Sequence, residues 1–293
     1  MPRRYILELN KKIRIYDGAT AIVTGGASGI GKALSQELAR RGCEVVLADL
    51  QIETAEDVAT EIRDSGGKAQ AVNLDVTDFP AMERVVRETF ESRGRLDYIF
   101  NNAGIAIGGT ATHYTIDDWN KIIDVNLRGV VNGIQAAYFI MIEQGFGHIV
   151  NTASMAGLMP NPLGVAYAAT KHAIVGLSRS LRTEAAQMGI RVSVICPGVI
   201  RTPILEGGKY GKINMNISTE KLREMWEEFR PMAPDMFAKK VLNAVAKNRA
   251  IIIVPFLWKS IWWLNRLSPA LGMAFAQNRL KKIQKNLVCY NNY

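Results

Sequence analysis

The chain has 293 residues, of which 48% are hydrophobic and 22% are charged, a composition that excludes disordered and fibrous proteins. It can bury a large core as one domain that carries an appendage. The net charge of +9 is concentrated at the two ends of the chain. Ten Lys and Arg residues and no acidic residue follow position 238, and residues 1–15 hold five basic residues and one acidic residue. Cys43, Cys196 and Cys289 are scattered along the chain, which favours a reducing, cytoplasmic compartment over a disulfide framework.

Neither the cysteines nor the three isolated histidines have the spacing of metal ligands, so we predict no metal site. The stretch "MPRRYILELNKKIRIYDGAT" is basic but lacks the continuous apolar core of a secretory signal, and residues 1–17 are interpreted as a basic N-terminal extension. The apolar run "AIIIVPFLW" at 250–258 is about half of the ~20 residues that a membrane-spanning helix needs. We therefore expect no transmembrane segment.

From about residue 19, short apolar runs alternate with amphipathic stretches. "ATAIVT" and "CEVVLAD" predict buried strands, and "IGKALSQELARRG" between them predicts a helix with Ile30, Leu34 and Leu38 on one face. Later strands are predicted in "KAQAVNL", "RLDYIFNNAG", "GHIVNTAS" and "IRVSVICPG", with helical segments between them, including a long one from Ile116. This alternation implies right-handed crossovers and a parallel sheet that is covered on both faces.

Residues 203–235 break this alternation because they are irregular and rich in Met, Gly and Pro. One helix is predicted within "STEKLREMWEEFR". We interpret the segment as a substrate lid or specificity loop, and a plain surface insertion remains the alternative.

The stretch "VTGGASGIG" directly follows the first predicted strand and opens the first helix. Gly25, Gly29 and Gly31 remove side chains where the chain turns sharply and where a diphosphate would approach the backbone. The helix N-terminus would supply N–H groups and a positive dipole end for that anion. The pattern is weak evidence alone, since tight turns need glycine anyway, and its spacing is TGxxxGxG rather than GxGxxG.

Asp49 closes the second predicted strand, where a dinucleotide fold presents the ribose of the adenosine. A carboxylate there accepts hydrogen bonds from the ribose hydroxyls and repels a 2′-phosphate. Neither Ser28 nor Leu50 offers a positive charge to such a phosphate. These positions favour NAD over NADP, although an aspartate that only caps a turn would look the same.

Tyr167 and Lys171 in "YAATK" lie one turn apart on one helical face. A neighbouring ammonium stabilises a phenolate and so lowers the pKa of a tyrosine from ~10 towards working pH. Ser154 ends the preceding strand and could hydrogen-bond a substrate oxygen at the carboxyl edge of the sheet. The three residues together suggest proton transfer to or from an oxygen.

These motifs occur in the order and spacing of one family: "TGGASGIG", "NNAG" at 101–104, Asn126 in "VNLRG", Ser154, "YAATK" and "PGVIRT" at 197–202. Over roughly residues 18–255 the chain resembles the classical short-chain dehydrogenase/reductase family. The resemblance implies an α/β fold, a Rossmann-like doubly wound parallel sheet in a single domain, here with a C-terminal helical extension.

The resemblance also implies the roles of four catalytic residues. Tyr167 is the proton donor or acceptor, while Lys171 lowers the pKa of Tyr167 and holds the nicotinamide ribose. Ser154 orients the substrate carbonyl, and Asn126 completes a proton relay through water.

The same resemblance implies a surface for NAD along the carboxyl edge of the sheet. Asp75 and Val76 would touch the adenine, residues 102–104 would line the floor, and Thr202 would contact the carboxamide. The full set of predicted cofactor contacts is Gly25, Ser28, Gly29, Ile30, Gly31, Asp49, Asp75, Val76, Asn102, Ala103, Gly104, Tyr167, Lys171, Pro197, Gly198 and Thr202.

We predict an NAD-dependent oxidoreductase that interconverts a secondary alcohol and a ketone, or a related alcohol–carbonyl pair. Apolar residues after the catalytic serine and methionines of the lid favour a lipophilic substrate, although such methionines also serve ordinary packing. They are Met155, Leu158, Met159, Met215, Met225, Met232 and Met236. An NADPH-dependent 3-oxoacyl reductase of fatty-acid synthesis and a non-catalytic cofactor-binding scaffold remain alternatives.

The expected partners follow partly from the resemblance, which implies a homodimer or homotetramer built from the long helices around 116–143 and 167–188. Nucleic-acid binding is not expected, because the basic tail has no recognisable binding fold.

The remaining residues, 256–293, form a basic extension in which "FLWKSIWWLNRLSP" holds three tryptophans within six positions. We predict one or two amphipathic helices over 256–285 that lie on an anionic membrane surface, so that the protein is peripheral to the membrane. Leu257, Ile261, Leu264 and Leu267 form the apolar stripe with Trp258 and Trp262 beside it, and the basic residues are Lys259, Arg266, Arg279, Lys281, Lys282 and Lys285. The alternative is that this stripe packs on the protein's own core or on a neighbouring subunit.

Overall fold

The computed structural model describes residues 12–207, 210–215 and 217–288, with side chains as far as residue 284. Residues 1–11 of the predicted N-terminal extension, Cys289 and the side chain of Lys285 therefore lie outside the described residues. The strands are β1 (Thr20–Thr24), β2 (Glu44–Asp49), β3 (Lys68–Asn73), β4 (Tyr98–Asn101), β5 (Ala106–Gly108), β6 (Gly147–Thr152), β7 (Ile190–Pro197), β8 (Gly211–Ile213) and β9 (Ile251–Val254).

Seven of the strands in the described part of the chain form one parallel sheet in the order β3-β2-β1-β4-β6-β7-β9. Its central strands are continuous runs of buried, largely β-branched residues, as expected for a sheet covered on both faces. The strand order reverses between β1 and β4, which opens a crevice at their carboxyl ends. The prediction of a Rossmann-like doubly wound sheet is confirmed.

The helices of the described residues are α1 (Gly29–Arg40), α2 (Ile52–Asp64), α3 (Phe79–Arg93), α4 (Ile116–Ile123), α5 (Gly129–Gln144), α6 (Val165–Ala185), α7 (Thr219–Glu227), α8 (Pro234–Ala246), α9 (Phe256–Leu267) and α10 (Pro269–Val288). One core layer lies between the sheet and α1, α2 and α8, and it includes Leu34, Ile62 and Phe237. The other lies beneath α3, α5 and α6, with Met82 and Ile174 among its buried side chains.

The long helical region predicted from Ile116 is divided by one turn of π-helix. Thr115 and Asp118 form a reciprocal capping box at the start of α4, which fixes where the region begins. A π-helical segment, Asp124–Arg128, joins α4 to α5 and holds Asn126. Wide turns of this kind often occur where a helix presents a functional side chain.

The predicted lid contains more structure than its sequence indicated. The expected helix is present as α7, but β8 also pairs in parallel with β5 to form a small second sheet. This pairing joins residues about one hundred positions apart in the chain, so no local sequence pattern could reveal it.

The C-terminal extension consists of two helices, as predicted, and three of the four residues of the predicted apolar stripe, Leu257, Leu264 and Leu267, are exposed together. Trp258 and Trp262 pack against the core, whereas Leu264 and Leu267 are exposed. The reason is that α9 is apolar on two sides, so the sequence does not reveal which side faces inward. None of the described helices is long and apolar enough to cross a membrane.

Candidate active site

The turn between β1 and α1 forms a cradle at the carboxyl edge of the sheet. A Cβ on Gly31 would overlap the carbonyl oxygen of Gly25, so this turn closes only without that side chain. Gly25 and Gly29 have φ angles of +64° and +51°, which glycine adopts without steric cost. Ser28 precedes α1 without capping its N–H groups, and Ile30 packs against the core. The exposed helix N-terminus and the cleared backbone fit the diphosphate of a dinucleotide.

The segment that follows β4 forms a floor beside this turn. The backbone N–H groups of Asn102 and Ala103 both donate to Thr24 Oγ1, at 2.9 and 3.1 Å. The amide Nδ2 of Asn102 also donates to the carbonyl oxygen of Thr24 at 3.1 Å. One hydroxyl therefore fixes the ends of two neighbouring strands at the switch point of the sheet.

Asp49 serves the fold as well as a possible ligand. Its carboxylate accepts hydrogen bonds from the backbone N–H groups of Ala27 and Gln51, each at 3.0 Å. It thereby ties the end of β2 to the glycine-rich turn. Because a carboxylate has about four lone-pair sites, two of them remain for ribose hydroxyls, and the structural and ligand roles are compatible. The neighbouring Leu50 is 65% exposed and brings no charge.

Asp75 and Val76 follow β3 at the same edge of the sheet. Asp75 is exposed, and its Oδ1 accepts from both the backbone and the hydroxyl of Thr77. Val76 is buried, and its carbonyl oxygen accepts from Asn132 Nδ2 at 2.9 Å. The pair lies near the β1–β2 side of the crevice, where the adenine was predicted.

The "PG" turn after β7 brings Thr202 to the glycine-rich turn. Pro197 ends the strand, and Gly198 N donates to the carbonyl oxygen of Val254 at 2.9 Å. A Cβ on Gly29 would lie 3.1 Å from Thr202 Cγ2, so these two predicted cofactor contacts are neighbours in space.

Asn126 is fully buried, and both ends of its amide are fixed. Its Oδ1 accepts from Ile105 N at 2.8 Å, and its Nδ2 donates to the carbonyl oxygen of Ile105 at 2.9 Å. A Cβ on Gly104 would lie 3.2 Å from this Oδ1 and 3.5 Å from Lys171 Nζ. Asn126 and Lys171 therefore both lie beside Gly104, close to the position that a Cβ would occupy there.

Tyr167, Lys171 and Ser154 meet where β6 ends and α6 begins. Lys171 Nζ donates to the carbonyl oxygen of Thr152 at 2.9 Å and lies 5.4 Å from the centre of the Tyr167 ring. Ser154 lies close enough to the Tyr167 hydroxyl to lower its pKa by hydrogen bonding. Ser154 Oγ accepts from Ala156 N at 3.1 Å. All four predicted catalytic residues are thus brought together, while their catalytic roles stay predictions.

The electrostatics of this cluster differ from the expectation for Tyr167. Burial raises the pKa of Tyr167, and its hydrogen bond with Ser154 only partly offsets that effect. Burial also lowers the pKa of Lys171 to about 8. Both shifts disfavour charge, so Tyr167 does not show the lowered pKa that the spacing of Lys171 suggested.

The segment predicted as a lid borders a cavity beside Thr202 and is held there by ion pairs. A cavity of about 350 Å³ lies between α7 and the segment after β7, and it includes Thr202 and Trp226. Ion pairs across it join Arg201 to Glu227 and Arg223 to Glu206. None of the predicted lid methionines lines this cavity: Met232 packs against the sheet core, and Met236 is exposed on α8.

Several supporting groups escaped prediction from sequence. Thr24 lies inside the glycine-rich motif, and its hydroxyl could have been identified as a polar group at a strand end. Thr152 and Ile105 hold Lys171 and Asn126 through backbone atoms, for which side-chain identity gives no signal. Among the described residues, no group of three or more His, Cys, Asp or Glu could hold a metal ion.

Comparison of the sequence and the structure with known proteins shows the family to which the chain belongs. The sequence profile described as "short chain dehydrogenase" matches residues 19–209. The chain belongs to the short-chain dehydrogenase family. It is 40% identical to the oxidoreductase UcpA of Salmonella typhimurium over 190 residues, which are 64% of this chain and 72% of that protein. It is 38% identical over 187 residues to the 2,5-dichloro-2,5-cyclohexadiene-1,4-diol dehydrogenase LinX of Sphingobium indicum, covering 64% and 75% of the two chains.

Solved structures of short-chain dehydrogenases are similar as well. A short-chain dehydrogenase/reductase from Burkholderia phymatum in complex with NAD superimposes with a TM-score of 0.77 and 27% identity, covering 88% of this chain and 96% of that one. The recognition of the family from sequence is confirmed. As a short-chain dehydrogenase, the protein is an oxidoreductase of the class that acts on alcohol and carbonyl groups with NAD or NADP.

Proposed function

We propose that this short-chain dehydrogenase uses NAD to interconvert a lipophilic secondary alcohol and its ketone. The observation that carries the proposal is the meeting of Tyr167, Ser154, Lys171 and Asn126 beside Gly104, in the segment that borders the glycine-rich turn. A phenol, a hydroxyl and a buried ammonium at one point are the groups that proton transfer to an alcohol oxygen requires.

Each residue has a definite task in this proposal. Ser154 orients the substrate oxygen, and Tyr167 takes the proton from an alcohol or returns it to a ketone. Lys171 holds the nicotinamide ribose and, with Asn126, connects Tyr167 to a proton path through water. The nicotinamide supplies the hydride chemistry when it is bound.

The preference for NAD rests on the end of β2. Asp49 is held in place by Ala27 N and Gln51 N, and its negative charge would repel a 2′-phosphate. Leu50 and Ser28 provide no compensating positive charge beside it. A ribose with a free 2′-hydroxyl can instead donate to the unused lone pairs of Asp49.

A lipophilic, cyclic substrate is favoured by two observations. Leu158 and Met159 follow Ser154 and are only partly buried at the edge of the core, whereas Met155 between them and Ser154 is buried within it. The relative LinX is by its name a dehydrogenase of a chlorinated cyclohexadienediol, which is a cyclic secondary alcohol.

The test compares initial rates with NAD and NADP over a panel of hydroxysteroids, retinoids, long-chain alcohols, cyclohexadienediols and 3-hydroxyacyl thioesters. We expect NAD to be preferred by at least about tenfold and a lipophilic secondary alcohol to be the best substrate. NADPH preference together with reduction of 3-oxoacyl thioesters would overturn the proposal in favour of a fatty-acid synthesis enzyme.

A double variant tests the cofactor assignment directly. Asp49→Asn keeps an oxygen that can accept from Ala27 N, and Leu50→Arg supplies a partner for a 2′-phosphate. The pair should shift the ratio of kcat/KM for NADP to that for NAD upward by at least about tenfold. The matched control is Leu50→Gln, which is polar but uncharged and should leave the ratio near that of the parent.

A further inference from the structure

The outward side of α9 and the first half of α10 is rich in exposed apolar side chains. Within the described residues, sixteen large apolar side chains are exposed, and eight of them fall between positions 256 and 275. We call these eight the tail surface: Phe256, Leu257, Trp263, Leu264, Leu267, Leu271, Met273 and Phe275. Concentrated apolar exposure of this kind marks an interaction site.

The tail surface belongs to helices that are already docked on the protein. The indole of Trp258 packs directly on the backbone of Gly198, so closely that a Cβ at position 198 would overlap the ring. Trp262 packs against the core, and Asn265 Nδ2 donates to the carbonyl oxygen of Leu158 at 3.4 Å. Positions 258, 261, 262 and 265 thus form the inner side of α9, and 256, 257, 260, 263, 264 and 267 form the outer side.

Positive charge surrounds the tail surface. Lys259 and Arg266 lie two turns apart on one flank of α9 and are exposed, and Lys281 is exposed on α10. Lys282 lies 3.9 Å from Glu228 of the neighbouring lid. From residue 256 onward the sequence holds six basic residues and no acidic one, so the segment has no negative charge of its own to offset them.

We propose that the tail surface binds an anionic lipid surface. Apolar side chains that enter the interface beside flanking Lys and Arg provide the two contributions that peripheral membrane binding needs. Tryptophan favours this interfacial region, and Trp263 is placed among the outward side chains. A second copy of the chain fits less well, because a two-fold contact through this surface would bring identical positive charges together.

The inner side of α9, beneath the tail surface, is connected by aromatic contacts to the cavity that Thr202 and Trp226 line. Trp258 stacks on Phe229 with ring centres 5.8 Å apart. The ring centre of Phe229 lies 6.0 Å from that of Trp226, and Trp226 lines the cavity between α7 and the segment after β7. The guanidinium of Arg279 lies 3.6 Å from the centre of the Phe229 ring. If the proposed function holds, a lipophilic substrate would pass from the bilayer to the site along these aromatic side chains, and that step alone rests on it.

Co-sedimentation with vesicles tests the proposal on the full chain. We expect binding to phosphatidylcholine vesicles that contain about one third phosphatidylglycerol, and binding at least about tenfold weaker to pure phosphatidylcholine. Raising the salt from about 0.1 M to about 1 M shortens the screening length from ~10 Å to ~3 Å and should release the protein. Because no substrate is present, this result is independent of the proposed function.

Two variants identify the surface. Leu264→Glu with Leu267→Glu changes side chains that are 66% and 80% exposed, and it should weaken vesicle binding at least about tenfold. Lys259→Gln with Arg266→Gln should weaken it by about fivefold per charge. The matched control, Ile15→Glu with Met188→Glu, adds the same two charges at exposed apolar positions elsewhere and should bind like the parent.

Three results would overturn the proposal. The first is equal binding by the parent and by the Leu264→Glu, Leu267→Glu variant. The second is no binding of the parent to anionic vesicles. The third is a loss of oligomer in the same variant, measured by light scattering, without any vesicle binding of the parent, which would assign the tail surface to a second copy.

Discussion

Burial acts on Tyr167 and Lys171 in opposite directions on the pKa scale, and both effects favour the neutral side chain. The pKa of Tyr167 is raised and that of Lys171 is lowered to about 8. Lys171 is fixed by the carbonyl oxygen of Thr152. If Tyr167 and Lys171 have the proposed roles, their charged forms need stabilisation from the bound cofactor and substrate.

Replacing the phenol tests its role as acid and base. Tyr167→Phe should lower kcat by about 10²–10⁴-fold while NAD affinity stays within a few-fold, because only the exchangeable proton is removed. Steady-state rates and NAD titration measure the two effects separately. Tyr98→Phe is the matched control, since Tyr98 is a buried tyrosine of the sheet whose hydroxyl donates to the carbonyl oxygen of Arg14. Near-parental turnover in Tyr167→Phe would contradict the mechanism.

The lowered pKa of Lys171 leads us to predict that cofactor binding depends on pH. Its pKa of about 8 means that the ammonium is charged below this pH and loses its proton as the pH rises through it. NAD affinity should therefore fall several-fold between about pH 7 and pH 9, because a charged donor is the stronger hydrogen-bonding group. Isothermal titration of the parent and of Lys171→Met checks this. The variant should bind weakly and with no such dependence, and a fall that persists in it would assign the titration elsewhere.

At the scale of elements, Asp118 connects the lid to the body of the protein. Its carboxylate accepts from Lys212 Nζ at 3.1 Å and from Asn214 Nδ2 at 3.0 Å, which tie β8 to α4. It also accepts from Thr115 N as part of the capping box. These contacts lower the pKa of Asp118 to about 2, so they persist throughout the neutral range.

A pair of variants separates the two tasks of Asp118. Asp118→Ala and Thr115→Ala both remove the helix cap and should each cost about 1 kcal/mol of stability. Only Asp118→Ala also frees β8, so it alone should raise KM and speed tryptic cleavage after Lys212. Unfolding curves, kinetics and limited proteolysis measure these effects. Equal KM and equal cleavage in the two variants would show that the lid contacts of Asp118 do not matter.

The sequence predicted elements whose pattern is local and missed contacts that depend on distant residues. β1 and β2 could be predicted because they are short continuous apolar runs before helical periodicity. The pairing of β5 with β8 could not, since neither strand has alternation long enough to identify a partner. The spacing of Tyr167 and Lys171 was enough to predict the candidate catalytic cluster. The hydrogen bond that Ala27 N donates to Asp49 could not be predicted, because it exists only in the folded turn.

Across the whole molecule, charge and apolar exposure are distributed unevenly. The body of the chain is nearly neutral, whereas the last two helices carry only positive charge and half of the exposed large apolar side chains of the described residues. A soluble enzyme does not need such a combination for folding, because Trp258 and Trp262 already supply the inward contacts of α9. The exposed apolar side chains of these helices are the feature on which the proposed membrane contact rests.

The stability of the sheet should depend on pH through His148, which lies in β6 and is fully buried. Its Nε2 is hydrogen-bonded to Ser193 Oγ at 2.8 Å. Burial, with smaller effects from the nearby Arg191 and Arg182, lowers the pKa of His148 to about 3. Between about pH 6.5 and pH 3 the unfolded chain binds a proton that the folded chain excludes, so stability falls as the pH falls.

His148→Gln keeps a polar group near Ser193 but cannot titrate in this range. Denaturant unfolding between about pH 7 and pH 4 should show the parent losing up to about 1.4 kcal/mol per pH unit more than the variant. The variant should be less stable at pH 7, because the packing of the ring against Tyr98 is lost, yet its dependence on pH should be flatter. His172→Gln replaces an exposed histidine and should follow the parent. Parallel curves for the parent and His148→Gln would show that proton exclusion by His148 does not control the acid stability of the sheet.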